Sequence, residues 1–273
     1  PLKYVDSLVE GYLKDGNKKM ILNYYNQSKK QVSLNQYVYV NSISQKLNKR
    51  IMNKLNNSIL LILMCLNSLP FFGQQRMEKF EYKGKSFSYT IHLPSDFDST
   101  KTYPVLVGPS NAKSVKDESY YWQGIKNTQG WILVGYRIYR GANRIGEIKA
   151  FLNHLKSKYK VEGNKFHTTC HSANSAGIFD LVMNMPNYFA GITGMAGNPN
   201  NGNKERLKKL KGVKVQFIVG DRDTYWMNSA KRSHQILREL GVESSIEIIK
   251  NGQHVLTPLI GKGFLDRANR LRK

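Results

Sequence analysis

Lys165-Phe166-His167-Thr168-Thr169-Cys170-His171-Ser172-Ala173-Asn174-Ser175-Ala176-Gly177 is the stretch on which the reading of this chain turns. Lys165 to Thr169 is a short, apolar and β-branched run of buried-strand type, and an amphipathic pattern of helical spacing runs from Ala176 to Met185. The few residues between them must turn sharply. A serine on such a strand-to-helix turn exposes its hydroxyl, and the helix N-terminus beneath it favours developing negative charge.

Outward from this stretch, strand-like and helix-like segments alternate. Phe80 to Leu93 reads as a hairpin around a Lys83-Gly84-Lys85 turn, and Tyr103 to Val107, Trp131 to Tyr136, Val213 to Val219 and Ser245 to Ile249 read as further strands. Helical patterns cover Arg144 to Tyr159, Ala176 to Met185, Ala230 to Leu240 and Gly263 to Leu271. Strands regularly separated by helices predict a mostly parallel central sheet with helices on both faces, in the α/β class. No internal repeat and no linker follow residue 75, so one domain accounts for this part of the chain.

In such a sheet the functional loops leave the carboxyl ends of the strands. The strand ending at Val219 runs into Gly220-Asp221-Arg222-Asp223, which offers a carboxylate, and the strand ending at Ile249 runs into Lys250-Asn251-Gly252-Gln253-His254, which offers an imidazole. Serine, acid and histidine in that order match the α/β-hydrolase triad. A serine hydroxyl is a weak nucleophile, so it needs a base for its proton and an acid to fix the tautomer of that base. From about Phe80 onward the chain resembles the secreted esterases of the α/β-hydrolase superfamily, in particular the poly(3-hydroxybutyrate) depolymerase and feruloyl esterase-like group. The phrases that carry the resemblance are Tyr103-Pro104-Val105-Leu106-Val107, Gly130-Trp131-Ile132-Leu133-Val134, Leu155-Lys156-Ser157-Lys158-Tyr159-Lys160-Val161, Met185-Pro186-Asn187-Tyr188-Phe189-Ala190-Gly191 and Gly220-Asp221-Arg222-Asp223, in that order. The resemblance implies a serine hydrolase of carboxylic esters, with Ser172 as nucleophile, Asp223 as acid and His254 as base. It implies a small-molecule or polymeric ester as substrate and no metal or organic cofactor. Its alternatives are a peptidase related to the prolyl oligopeptidases and a catalytically silent fold that binds glycans or anionic surfaces.

The turn departs from the family's Gly-x-Ser-x-Gly, in which glycines keep Cβ atoms out of a tight bend. Around Ser172 stand Cys170 and Asn174; around Ser175 stand Ala173 and Gly177, which are sterically kinder. Ser172 is preferred because it falls three residues after the predicted strand and because its spacing to Met185-Pro186 resembles the family pattern. Asp221 is the alternative acid, although it suits closure of its own turn. One oxyanion-hole N–H is expected from Ala173. The second is expected after Val107, from Ser110, Asn111 or Ala112, since Pro109 has no N–H. Tyr225 and Trp226, next to the acid, are candidate substrate-binding residues, and Tyr120, Tyr121, Trp122, Tyr136 and Tyr139 are weaker ones. His171 reads as a packing or positioning residue, and His92, His154, His167 and His234 read as structural.

Ahead of this region, residues 1–51 are rich in Lys, Asn, Gln and Tyr and read as an upstream extension, expected to be disordered. Residues 52–73 combine the basic start Met52-Asn53-Lys54, the apolar run Ile59 to Leu66 and a breaker ending at Gly73, which are the parts of a signal peptide. The run falls short of the roughly 18 to 20 residues that span a bilayer, so no stable membrane insertion is expected after cleavage. Met64 makes Cys65 a poor lipidation site. The hydrolase domain is then residues 74–273, and the expected location is secreted or periplasmic.

The 273 residues are 40% hydrophobic and 11% aromatic, which excludes disorder for most of the chain. The two cysteines, Cys65 and Cys170, exclude a disulfide scaffold and a zinc finger. The net charge of +23 falls to +16 from Gln74 onward, where 32 basic residues face 16 acidic ones. That surplus suits an anionic cell-envelope or polysaccharide environment. A nucleic-acid partner is not expected, because no aromatic residue interleaves the basic run from Lys204 to Lys214. No Gly-x-Gly-x-x-Gly opens a helix, which disfavours a nucleotide fold.

Overall fold

The computed structural model describes residues 75–139, 144–200 and 202–272, all of them within the compact unit Pro70–Lys273. The extension expected over residues 1–51 and the signal peptide expected over residues 52–73 lie outside the described residues.

Eight strands form one sheet: β1 (Gln75–Tyr82), β2 (Lys85–His92), β3 (Val105–Pro109), β4 (Ile132–Tyr136), β5 (Phe166–His171), β6 (Phe189–Met195), β7 (Lys214–Gly220) and β8 (Ser244–Ile249). The order across the sheet is β1-β2-β4-β3-β5-β6-β7-β8. β2 pairs antiparallel with both β1 and β4, and the strands from β3 to β8 pair in parallel. The predicted hairpin is present. Lys83 and Gly84 both take positive φ, 48° and 70°, as a two-residue turn between twisted strands requires.

Alternation along the central strands assigns their side chains to two cores. Val105, Val107, Ile132 and Val134 face one side of the sheet, where they meet Ile148, Phe151, Leu152 and Leu155 of α1 (Ile145–Lys158) and Ile178 and Phe179 of α2 (Ser175–Asn184). Ala230 and Leu237 of α3 (Thr224–Glu239) join the same core. Leu106 and Leu133 face the other side, against Trp122, Trp131 and the Phe264 and Leu265 of α4 (Lys262–Ala268). Each such side chain, once fully buried, contributes about 1.5–3 kcal/mol.

Three expectations need correction. β6 was not read as a strand: Gly191 and Gly194 dilute its β signal, yet it lies inside the sheet between β5 and β7. α3 starts at Thr224 rather than at Ala230, so Tyr225 and Trp226 stand in its first turn. β5 continues through Cys170 and His171, which puts Ser172 directly after the strand instead of three residues beyond it. The basic run is a short helix, Lys204–Leu207, followed by a 3-10 turn, Lys208–Leu210; Leu207 and Leu210 are buried and Lys208 pairs with Glu205, so its charges form a solvated face.

The chain steps from β3 to β4 on one side, and then α1 carries it back past β3 to β5 on the other. Strand order therefore reverses around β3, and the crevice for a ligand opens at the carboxyl ends of β3 and β5. The register Leu106↔His167 and Val107↔Thr168 makes the loop after β3 a direct neighbour of Ser172.

Candidate active site

Ser172 has a φ of 51°, the left-handed conformation that a sharp strand-to-helix turn imposes, at a cost of about 1–3 kcal/mol for a residue with a Cβ. Neighbouring backbone holds it there. Ser172 N–H donates to Ala196 O at 3.0 Å, and the Ser175 hydroxyl donates to Ser172 O at 2.6 Å. Ser175 is thus a buried brace of the turn, which removes it as the alternative nucleophile.

The structure also explains how the turn does without flanking glycines. Cys170 is still in the strand, with its side chain in the core and Sγ 3.8 Å from Thr193 O, and burial pushes its thiol pKa up. Asn174 is in an ordinary right-handed conformation, φ −70° and ψ −18°, and exposed. The space that glycines usually leave beside the nucleophile is supplied across the sheet. A Cβ on Gly197, just past β6, would come within 2.7 Å of Ser175 Cβ and 3.4 Å of Ser172 N.

The loops that carry Asp223 and His254 are stitched together at the ends of β7 and β8. Asp221 N–H donates to Ile249 O at 3.1 Å, and Arg222 N–H donates to Gly252 O at 2.9 Å. Gly220 lies so close to Gly252 that a Cβ on it would meet Gly252 O at 2.1 Å. Asp223 occupies the N-cap position of α3 but makes no side-chain cap bond; its carboxylate instead meets His254 Nδ1 at 2.6 Å. His254 Nε2 lies 2.9 Å from Ser172 Oγ. A carboxylate only accepts, so Nδ1 carries the proton and Nε2 is free to accept from the serine hydroxyl. Asp221 makes no bond to His254. Its Oδ1 is buried and unpartnered among the described residues, and the turn is closed by Asp223 N–H to Gly220 O at 3.3 Å, not by the Asp221 side chain.

His171, expected to be a packing or positioning residue, lies against His254. Its Nε2 is 3.3 Å from the His254 carbonyl and the two rings are 4.9 Å apart, while burial lowers its pKa and so favours the neutral ring. Because a carbonyl only accepts, Nε2 is the protonated nitrogen and braces the backbone of His254.

The loop after β3 decides among the three amides expected there. Ser110 N–H is committed to Tyr136 O at 3.0 Å, and Ala112 N–H to Ser110 Oγ at 2.9 Å. Neither can serve as a second oxyanion donor, which corrects the expectation for Ser110. Asn111 N–H has no partner among the described residues. Ala173 N–H belongs to the first turn after β5, where N–H groups lack intrahelical partners.

Trp226 stands 5.8 Å from His254, ring to ring, and packs edge-on against Tyr225, which is 75% exposed. Trp122 and Tyr136 do not line the cleft. Trp122 fills the gap left by Gly108, and Tyr136 stacks on Phe151 with its hydroxyl on Glu147. Tyr121 is buried against Phe264. The four histidines expected to be structural sit beside Glu118 (His92), Tyr89 (His154), Trp131 (His167) and Ser244 (His234). Among the described residues no cluster of His, Cys, Asp or Glu is arranged to hold a metal, and no helix is long and apolar enough to cross a membrane.

Neither a protein-family model nor a curated protein matches the sequence. Solved structures do. A ferulic acid esterase superimposes with a TM-score of 0.54 at 15% identity, over 74% of this chain and 98% of that one. A ferulic acid esterase from the anaerobic fungus Anaeromyces mucronatus gives 0.54 at 14% identity, over 70% and 88%. A thermostable esterase gives 0.54 at 12% identity over 71% of this chain, which spans only 60% of that one. The chain has the α/β-hydrolase fold. Within that fold the strand order, the reversal at β3 and the three loops that carry Ser172, Asp223 and His254 follow from the sheet described above. The segment from β6 to Gly197 lies against the Ser172–Ser175 turn without having been foreseen, and Tyr139, a weaker candidate for the cleft, places its hydroxyl on Asn111 Oδ1 at 2.7 Å.

Proposed function

We propose that this chain is a serine esterase that hydrolyses carboxylic esters through an acyl-enzyme. The observation that carries the proposal is the unbroken line from Ser172 Oγ to His254 Nε2 at 2.9 Å and from His254 Nδ1 to Asp223 Oδ2 at 2.6 Å. His254 takes the proton as Ser172 Oγ attacks the ester carbonyl. The oxyanion forms against Ala173 N–H and Asn111 N–H, and Asp223 stabilises the imidazolium. His254 then returns the proton to the leaving alkoxide, and a water activated by the same imidazole releases the acid. Tyr225 and Trp226 offer an aromatic shelf beside the base for the substrate, small or polymeric.

The likeness to ferulic acid esterases supports an ester over an amide. An isopeptidase superimposes equally well, with a TM-score of 0.55, but this chain spans only 39% of it. The basic, apolar and breaker parts of residues 52–73 support delivery outside the cytoplasm, which makes the working location secreted or periplasmic.

A fluorophosphonate probe followed by peptide mapping tests the reading. Labelling at Ser172, its loss in Ser172→Ala and turnover of a chromogenic ester are expected. Turnover of amides without esters points to the peptidase alternative, and an unlabelled chain beside a labelled control esterase points to a silent fold.

A further inference from the structure

Tyr139, in the loop that follows β4, has no part in the mechanism above, yet its hydroxyl donates to Asn111 Oδ1 at 2.7 Å. Asn111 is the residue whose N–H is left free after its neighbours have been committed. Ser110 on one side is fixed by its own N–H to Tyr136 O and by its hydroxyl to Asp117 O; Ala112 on the other is bound to Ser110 Oγ and held at a φ of 50°. Lys113 N–H, bound to Asp117 Oδ2 at 2.9 Å, closes the same bend. Among the described residues the Tyr139 hydroxyl is the one hydrogen-bond partner of the Asn111 side chain, and it is the contact that ties Asn111 to anything outside the bend.

The tyrosine itself is well anchored. Its carbonyl lies against the helix below Ser172, where a Cβ on Gly177 would stand 3.4 Å from Tyr139 O. At the far end of the loop Arg144 Nη1 donates to Arg137 O at 2.7 Å, and its guanidinium pairs with Glu147 of α1. The hydroxyl therefore links a residue whose carbonyl lies against α2 to the bend after β3.

We infer that Tyr139 is a positioning residue: by holding the Asn111 carboxamide it aims the Asn111 N–H at the oxyanion that forms on Ser172. A donor counts in catalysis only when it is already aimed at the place where charge develops, and complete loss of one costs about 10²–10³ in kcat. A donor that remains but wanders costs less. The inference rests on the esterase reading.

The test is a double-mutant cycle on purified protein with a chromogenic ester. Tyr139→Phe removes one oxygen and is expected to lower kcat about tenfold, with KM and the acid limb of the pH profile unchanged, since the Asp223–His254 pair is untouched. Asn111→Ala keeps the backbone N–H, loses its tether and is expected to match it. The double variant is expected to be no slower than the slower single. Equal melting temperatures separate positioning from folding, and Asn111→Ala carries the test if Tyr139→Phe melts early. Multiplying losses, an unchanged kcat, or a raised KM at full kcat overturns the inference while leaving the esterase reading intact. A wild type that turns over no ester overturns both.

Discussion

Gly197→Ala is the most economical test of how this turn carries its nucleophile. The new methyl would stand 2.7 Å from Ser175 Cβ, 3.2 Å from Ser175 Oγ and 3.4 Å from Ser172 N. Carbon atoms rest at about 3.5–4.0 Å, so something must yield by roughly 1 Å. Ser175 cannot move away freely: it is buried, it opens α2, and its hydroxyl is bound to Ser172 O. The segment on the other side cannot move freely either, because Ala196 O holds Ser172 N–H and Ala196 N–H is bound to Ile218 O at 2.8 Å. The displacement therefore passes into Ser172. Overpacking of this kind costs about 1–3 kcal/mol, which for a domain of this size lowers Tm by several degrees. A misplacement of about 1 Å at a reacting group costs on the order of 10²-fold in rate. Ester turnover and thermal unfolding, measured together, should show a kcat/KM loss of about 10²-fold in a protein that is still folded at assay temperature. A variant with wild-type kcat/KM would refute the claim that the space across the sheet supports the turn.

Asp223→Asn leaves the bulk in place but no longer requires a proton on His254 Nδ1, so kcat should fall on the order of 10³–10⁴-fold with KM little changed in steady-state assays. Gly220→Ala sets a methyl 2.1 Å from Gly252 O and 2.2 Å from Gly252 C, backbone on backbone, between the acid loop and the base loop. It should lower stability by about 3 kcal/mol or more and activity at least about 10²-fold, read by denaturant unfolding and ester turnover. His167 is buried, its Nδ1 has no partner among the described residues, and burial lowers its pKa to about 4 from 6.5. The unfolded chain thus binds this proton first. The contribution is complete above about pH 6.5 and is lost as pH falls towards about 4, by roughly 3 kcal/mol. Urea unfolding between those pH values should show the loss, and His167→Gln should flatten it.

Much of the fold was legible because buried parallel strands leave a plain trace: Val105-Leu106-Val107, Ile132-Leu133-Val134 and Val215-Gln216-Phe217-Ile218-Val219 are apolar on both faces, or nearly so, since both faces are covered. The positions of Ser172, Asp223 and His254 were legible because each stands shortly after a strand-like segment, although only the segment before Asp223 is apolar along nearly all of its buried length. Helix α3 was less so. Its first turn, Thr224-Tyr225-Trp226-Met227, has no buried residue, and an exposed Tyr225 leaves no helical stripe to read. The free amide of the loop after β3 was legible only as one of three. Ser110, Asn111 and Ala112 are equivalent in sequence; what separates them is where Tyr136 O and Ser110 Oγ sit, and those are tertiary facts.

The glycine-poor turn and the unread strand meet at Gly197, the exit of β6. Phe189-Ala190-Gly191-Ile192-Thr193-Gly194-Met195 reads poorly as a strand because its glycines lack the side chains that pack a pleated surface. Each is nonetheless demanded by contact: a Cβ on Gly191 would press His167 Nδ1 at 3.0 Å, and one on Gly194 would meet Gly197 O at 2.3 Å. A Cβ on Gly197 would in turn meet Ser175. The usual pattern keeps the bend open by removing side chains from the bend itself. Here Cys170 remains and is accommodated in the core, while Gly197, at the exit of β6, is the residue without a side chain beside Ser175 and Ser172. What a left-handed Ser172 needs is free volume on its flank, and close packing is indifferent to which strand supplies it. It follows that restoring glycine at Cys170 should not raise activity. It would empty a core position without relieving any crowding, so Cys170→Gly should lose stability and leave kcat no higher than wild type, measured by thermal unfolding and ester turnover.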